Sequence, residues 1–192
     1  MEKEFWDERW ESNQTGWDVG HVSPPLKAYI DQLTDKSIRI LIPGCGNAYE
    51  AQYLIEQGFT NIFIVEISQG AIDTFKTRYP DFPEAHIFHQ DFFELNGDKK
   101  YDFIIEQTFF CAIQPEKRLD YAIKMKELIK PNGKLAGLMF DFPLTSGPPF
   151  GGSIEEYNTY FESRFTILKM ERAHNSLEPR QGRELFVILK NQ

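Results

Sequence analysis

Short apolar runs alternate along the chain with longer stretches in which apolar residues recur every three or four positions. Ser37–Pro43 (SIRILIP) has the pattern of a buried strand, stopped by Gly44-Cys45-Gly46. Over Asn47–Gln57, residues Ala51, Leu54 and Ile55 share one helical face, and Gly58 is a natural C-terminal stop. Asn61–Ile67 (NIFIVEI) predicts a second strand, and Ser68 an N-cap for a helix over Gln69–Tyr79. His86–Phe88 gives a short third strand and Tyr101–Glu106 (YDFIIE) a fourth. Pro115 suits the first turn of a helix that buries Leu119, Ala122, Ile123, Leu128 and Ile129, with Pro131-Asn132-Gly133 as its stop. Lys134–Phe140 predicts a fifth strand, Thr145–Ser153 a loop and Ile154–Phe161 a helix. Thr166–Arg172 and Glu184–Leu189 close the chain as two strands joined by a polar turn, a candidate antiparallel pair at the sheet edge.

Strands separated by helices imply parallel pairing with right-handed crossovers. The expected fold is therefore α/β: a doubly wound, mostly parallel seven-stranded sheet with helices on both faces. The length, 192 residues, fits one domain, 1–192. Apolar residues make up 41% and aromatic residues 15%, enough for a sizeable core. Seventeen Phe is a high load for one domain, so some of these rings are expected to line a pocket.

Charge and motifs narrow the function classes. A net charge of −8, spread along the chain, disfavours a nucleic-acid partner and works against anion capture. No apolar run approaches the ~20 residues of a membrane span, and MEKEFWDERW lacks the apolar core of a signal peptide, so the expected location is the cytoplasm. Cys45 and Cys111 are far apart with no metal-ligand spacing, and His21, His86, His89 and His174 are scattered. No metal site is expected, and no Ser/His/Asp set is present to name a catalytic residue.

The first strand-to-helix turn, with Gly44 and Gly46, lets a ligand approach the main chain and places a helix N-terminus beside it. Twenty residues after Gly46, Glu66 ends the second strand, where an acid can accept hydrogen bonds from both ribose hydroxyls of a nucleoside. A dinucleotide fingerprint needs a sixth-position glycine, which here is Tyr49, so a nicotinamide cofactor fits poorly and S-adenosylmethionine fits better. Asp91-Phe92-Phe93 follows the third strand, where the acid either meets an adenine amine or caps a turn. Glu106-Gln107-Thr108-Phe109-Phe110-Cys111 leaves the fourth strand at the same edge. The only tryptophans, Trp6, Trp10 and Trp17, fall within twelve residues; they either pack a helix onto the sheet or form a lid over a cationic sulfonium.

In order along the chain stand Trp6-x3-Trp10, Thr15-Gly16-Trp17-Asp18, Leu41-Ile42-Pro43-Gly44-Cys45-Gly46, Val65-Glu66-Ile67-Ser68, Asp91-Phe92-Phe93, Thr108-Phe109-Phe110-Cys111-Ala112-Ile113 and Gly147-Pro148-Pro149-Phe150. This ordered set resembles the thiopurine S-methyltransferase family, nearest its branch of thiol and halide methyltransferases. The resemblance implies a Rossmann-like methyltransferase fold and S-adenosylmethionine as cofactor, with S-adenosylhomocysteine as product. It further implies a cofactor site of Trp6, Trp10, Trp17, Gly44, Gly46, Glu66 (ribose), Asp91 and Phe92 (adenine) and Gln107. Residues 1–34 would form a helical lid. Ala48 replaces a usual third glycine, a change tolerable if residue 48 is helical, and Gln107 replaces a Tyr or Arg.

The expected activity is in-line methyl transfer to a small sulfur or halide nucleophile: a thiol, hydrosulfide, thiocyanate, iodide or thiopurine. Phe109, Phe110, Pro149 and Phe150 are the expected acceptor pocket. The expected partner is a small molecule, with the protein a monomer. The alternatives are methylation of a metalloid or of a small oxygen or nitrogen nucleophile, and a cofactor-binding protein without catalysis.

Overall fold

Ile40–Pro43 (β1) and Ile62–Glu66 (β2) are buried at every position, which only a strand covered on both faces can be. The computed structural model describes residues 3–97, 100–144 and 146–192. Met1, Glu2 and Thr145, included in the expected lid and loop, lie outside the described residues. The remaining strands are β3 (Ile87–His89), β4 (Tyr101–Gln107), β5 (Ile129–Phe140), β6 (Phe165–Arg172) and β7 (Glu184–Asn191). The helices are α1 (Lys3–Glu11), α2 (Pro24–Ile30), α3 (Tyr49–Glu56), α4 (Gln69–Arg78), α5 (Arg118–Leu128) and α6 (Ile154–Phe161). One sheet holds all seven strands in the order β3-β2-β1-β4-β5-β7-β6. Pairings from β3 through β5 are parallel, and β7 runs antiparallel to both β5 and β6, with β6 outermost.

Alternation of side chains divides the core in two. Leu41, Phe63, Val65 and Ile104 face Tyr121, Met125, Tyr157 and Phe161 of α5 and α6. Ile40, Ile42, Ile64, Phe103 and Ile105 face Leu26, Ile30, Ala51, Leu54 and Phe75 of α2, α3 and α4. Thus α2 belongs to the core, whereas α1 has no buried residue. Among the described residues no helix is long and apolar enough to cross a membrane.

Three elements differ from the sequence expectation. α5 begins at Arg118 after a 3₁₀ turn over Pro115–Lys117, and buries Arg118, Tyr121, Ala122, Met125 and Leu128. Leu119 and Ile123 are 42% and 40% exposed, because buried Arg and Tyr side chains set the helix phase that hydropathy had assigned to them. Pro131-Asn132-Gly133 does not stop α5, which ends at Leu128; these residues bulge out of β5, whose register on β4 jumps from Tyr101↔Ile129 to Phe103↔Lys134. Ile129 is consequently a strand residue. Ala48 is not helical: it precedes α3 in the left-handed region, φ 53°, a conformation costing roughly 1–2 kcal/mol for a residue with a Cβ.

Gly137 sits opposite Glu106 in the β4–β5 ladder, and a Cβ there would lie 2.3 Å from the Glu106 Cβ. Gly137→Ala should therefore overpack the sheet centre and cost about 1–3 kcal/mol. Denaturant unfolding checks this, and an unchanged midpoint would contradict it.

Candidate active site

The strand order turns at β1 and β4, which leave the sheet centre in opposite directions. Such a switch point opens a crevice at the carboxyl ends of the strands. A cavity of about 520 Å³ lies there, lined by residues following β1, β2, β3, β4 and β5 and by the segment before β7. At its floor, Gly44 and Gly46 have φ of +54° and +51°. A Cβ on Gly44 would fall 2.1 Å from the Phe109 ring, so only glycine admits that ring beside the backbone.

Glu66 ends β2 facing this turn. One carboxylate oxygen accepts from the Gly46 N–H at 2.9 Å, the other from Ile67 and Ser68 N–H at 2.8 and 3.0 Å. Burial raises its pKa, and those backbone donors oppose the rise. Asp91 lines the cavity while its Oδ1 accepts from Phe93 N–H at 2.9 Å, so it caps the short turn Phe92–Glu94. Phe92 is buried, lines the cavity and packs edge-on against Phe109, centroids 5.2 Å apart. Gln107 also lines the cavity, and its Oε1 is buried without a protein partner.

Beyond Gln107, Thr108 is left-handed, φ 55°, and the two rings that follow it both pack on Tyr121 but differ in whether they reach the cavity. Phe109 lines the cavity. Phe110 does not; it lies in the core against Tyr121, Tyr157 and Phe161. Phe150 likewise lies outside the lining, and the wall on that side is Pro148 and Pro149 with Phe140 and Phe142. Of the expected acceptor residues, Phe110 is therefore a support behind the wall, and Phe150 is tied to it through its backbone N–H, which donates to the Cys111 carbonyl.

All three tryptophans line the cavity, Trp17 standing edge-on to Trp6 and Trp10 at 5.5 and 6.3 Å. Their segment is tied down by polar contacts to the sheet's carboxyl edge. Ser68 Oγ donates to Asp7 at 2.8 Å, Asn47 and Tyr49 donate to Asp18 at 2.6 and 3.3 Å, and Arg180 donates to the Trp17 carbonyl at 2.8 Å.

Several cavity residues lay outside the sequence reading. Arg180, Arg183 and Lys117 line it, with the Arg183 guanidinium 4.5 Å from the Phe142 ring centre. They sit in polar turns that carry no periodic signal. His21, Cys45 and Cys111 also reach the lining. Glu106, just behind it, is fully buried and accepts from Tyr121 O–H at 2.6 Å and from Phe109 and Phe110 N–H at 2.9 and 2.8 Å. A strand-ending acid after three apolar residues, matching Glu66, was the available signal. Among the described residues no group of three or more His, Cys, Asp or Glu could hold a metal ion.

A mostly parallel seven-stranded sheet, closed by an antiparallel last strand pair, with a cavity at its switch point is the S-adenosylmethionine-dependent methyltransferase architecture. The chain is similar over 99% of its length to Burkholderia thailandensis 1,6-didemethyltoxoflavin-N1-methyltransferase, solved with bound S-adenosylhomocysteine (TM-score 0.78, 15% identity, 87% of that chain). It is 31% identical to thiocyanate methyltransferase 1 of Brassica oleracea, with 96% of this chain and 83% of that protein covered. It is 30% identical to a probable thiol methyltransferase 2 of Arabidopsis thaliana (93% and 81% covered) and 28% identical to a Vibrio campbellii thiopurine S-methyltransferase (90% and 88%). The sequence model of the thiopurine S-methyltransferase family matches residues 1–190. The chain belongs to that family, and it is an enzyme whose cofactor is S-adenosylmethionine. The cavity fits that group: at Gly46 the backbone is open as far as the Trp10 and Trp17 rings, 3.7 and 3.9 Å from where a Cβ would stand, and Gln107 brings an unpartnered oxygen to it.

Burial pushes the Glu106 pKa to about 7, with Tyr121 and the two backbone donors acting against it. A folded-state value above the unfolded 4.5 stabilises the protein below pH 4.5, and that contribution is lost as pH rises to about 7. The loss is roughly 3 kcal/mol across the window. Glu106→Gln cannot titrate. Its stability relative to wild type should therefore rise between pH 4.5 and 7 and level off above, as read by denaturant unfolding. A difference independent of pH would contradict the assignment.

Proposed function

We propose that the enzyme methylates a small, soft sulfur or halide anion, the class that spans thiols, hydrosulfide, thiocyanate, iodide and thiopurines. The carrying observation is the character of the cavity on the β4–β5–β7 side. Its walls there are Phe109, Phe140, Phe142, Pro148 and Pro149, and its charged groups are Arg180 and Arg183. Aromatic and proline walls exclude water, leaving an anion poorly solvated and reactive. Arg180 is paired with Glu184 at 3.4 Å, and the Arg183 guanidinium offsets locally the net charge of −8.

When bound, S-adenosylmethionine supplies an electrophilic methyl group on a cationic sulfonium. On the β2 side, Glu66 has one lone pair left, on the oxygen held by the Gly46 N–H, for a ribose hydroxyl, Asp91 has its second oxygen for the adenine amine, and Phe92 covers the base. Gly46 lets the cofactor lie against the main chain beneath the tryptophans, while Gly44 admits the Phe109 ring beside it. Trp6, Trp10 and Trp17 form a lid whose ring faces stabilise positive charge. Gln107 stands between the two halves, able to orient either ligand by hydrogen bonding.

No side chain in this scheme has to remove a proton. Of the lining acids, Glu66 and Asp91 are engaged with backbone N–H groups, Asp18 with Asn47 and Tyr49, and Glu50 with the Ser23 N–H, while Glu106 is sealed behind Phe109. A nucleophile already anionic near neutral pH meets that condition, and an alcohol does not. Alignment and water exclusion then supply most of the acceleration.

The test is a panel of thiols of graded pKa, hydrosulfide, thiocyanate, iodide and a thiopurine, followed by S-adenosylhomocysteine release. Low-pKa thiols should outpace alkyl thiols at neutral pH, and the gap should narrow as pH rises because the thiolate is the nucleophile. A rate indifferent to thiol pKa, or activity confined to alcohols or amines, would reject this reading.

A further inference from the structure

Arg118 is the largest of the fully buried side chains, and it lies outside the cavity. Burying a guanidinium costs several kcal/mol unless it is paired and hydrogen-bonded, so its contacts are informative. Nη1 meets Glu156 Oε1 of α6 at 2.7 Å, and Nη2 donates to the carbonyls of Gly151 at 2.9 Å and Phe150 at 3.4 Å. The guanidinium also stacks 4.9 Å from the Phe110 ring centre and 5.8 Å from Tyr157. One planar fork thereby joins the start of α5, the segment after Pro149 and α6.

The neighbouring bonds run from this knot to the cavity wall. Phe150 N–H donates to the Cys111 carbonyl at 2.8 Å, and Gly152 N–H to the Phe142 carbonyl at 2.9 Å. Tyr157, under the Arg118 fork, donates its hydroxyl to the Phe140 carbonyl at 2.6 Å. Cys111, Phe140 and Phe142 all line the cavity, and Pro148–Pro149 lead directly into Phe150. On the β5 side, then, the wall is fixed from behind by Arg118 and its partners.

We infer that Arg118 is a positioning residue for the methyl acceptor: through the Phe150 and Gly151 carbonyls it holds the Pro148–Pro149 wall against which the nucleophile is aligned. This rests on the reading of that wall as the acceptor side. A core staple acting on stability alone would leave the wall's dynamics and the acceptor KM untouched once the protein is folded.

The experiment compares wild type, Arg118→Lys and Arg118→Met by hydrogen exchange over 140–153, S-adenosylhomocysteine affinity and acceptor KM. Met keeps the volume and loses every bond; Lys keeps a charge for Glu156 but cannot fork to two carbonyls. In Arg118→Met, the Phe150 and Gly152 amides should lose protection in the ligand-free protein. Acceptor KM should rise about tenfold or more, with S-adenosylhomocysteine affinity unchanged and Lys intermediate. Unchanged protection and KM, or a parallel fall in cofactor affinity, would overturn the inference. Should Arg118→Met not fold, Glu156→Gln weakens the same anchor and must move protection and KM in the same direction; no movement overturns it. If none of the sulfur or halide acceptors is turned over, the function fails, while the exchange measurement still decides whether Arg118 holds the wall.

Discussion

The carboxylate of Glu66 takes three backbone N–H groups from two turns that meet at the carboxyl edge of the sheet. Gly46 follows β1 and Ser68 opens α4, so this one buried group sets the spacing between the first two crossovers. Charge-assisted bonds to backbone N–H are stronger than neutral ones, and a lost partner would leave a buried charge uncompensated. Ser68 extends the arrangement outward, because its hydroxyl donates to Asp7 and brings the α1 tryptophans over the cavity. Floor and cover are thus referenced to the same acid.

The sheet repeats this device two strands away. Glu106 is the last residue but one of β4, where Glu66 is the last of β2, and it too is buried and bonded to the N–H groups of the turn that follows. The two differ in what they face. Glu66 lines the cavity; Glu106 lies behind it and spends its remaining oxygen on Tyr121. Tyr121 is packed against Phe92, Phe109 and Phe110, so the two cavity-lining rings, Phe92 and Phe109, share one support. With Arg118 doing the same for the β5 side, the cavity's shape is set by buried polar groups that never touch its contents.

How much was legible follows from where each signal resides. β1 and β2 read correctly because a parallel strand covered on both faces must be apolar at nearly every position. Gly44, Gly46, Glu66, Asp91 and the tryptophans all reach the cavity, because the turns that hold them follow directly from strand ends. α5 was misphased because its buried face carries Arg118 and Tyr121, polar by residue type and satisfied only by partners far along the chain. Phe110 and Phe150 were misplaced for a different reason. Each neighbours a cavity-lining residue, Phe109 or Pro149, and which of two adjacent residues faces the cavity is a backbone property that composition does not encode. Arg180 and Arg183 were missed because nothing local marks a turn before β7 as adjacent to Trp17 and Phe142.

The central claim is that Glu66 organises a nucleoside site covered by the three tryptophans. Titrating wild type and Glu66→Ala with S-adenosylhomocysteine, followed by tryptophan fluorescence, tests it directly because all three reporters line the cavity. Wild type should give a saturable change. Glu66→Ala should bind at least about tenfold more weakly, the equivalent of one lost charge-assisted bond. No fluorescence change in wild type, or equal affinity in the two proteins, would contradict the account.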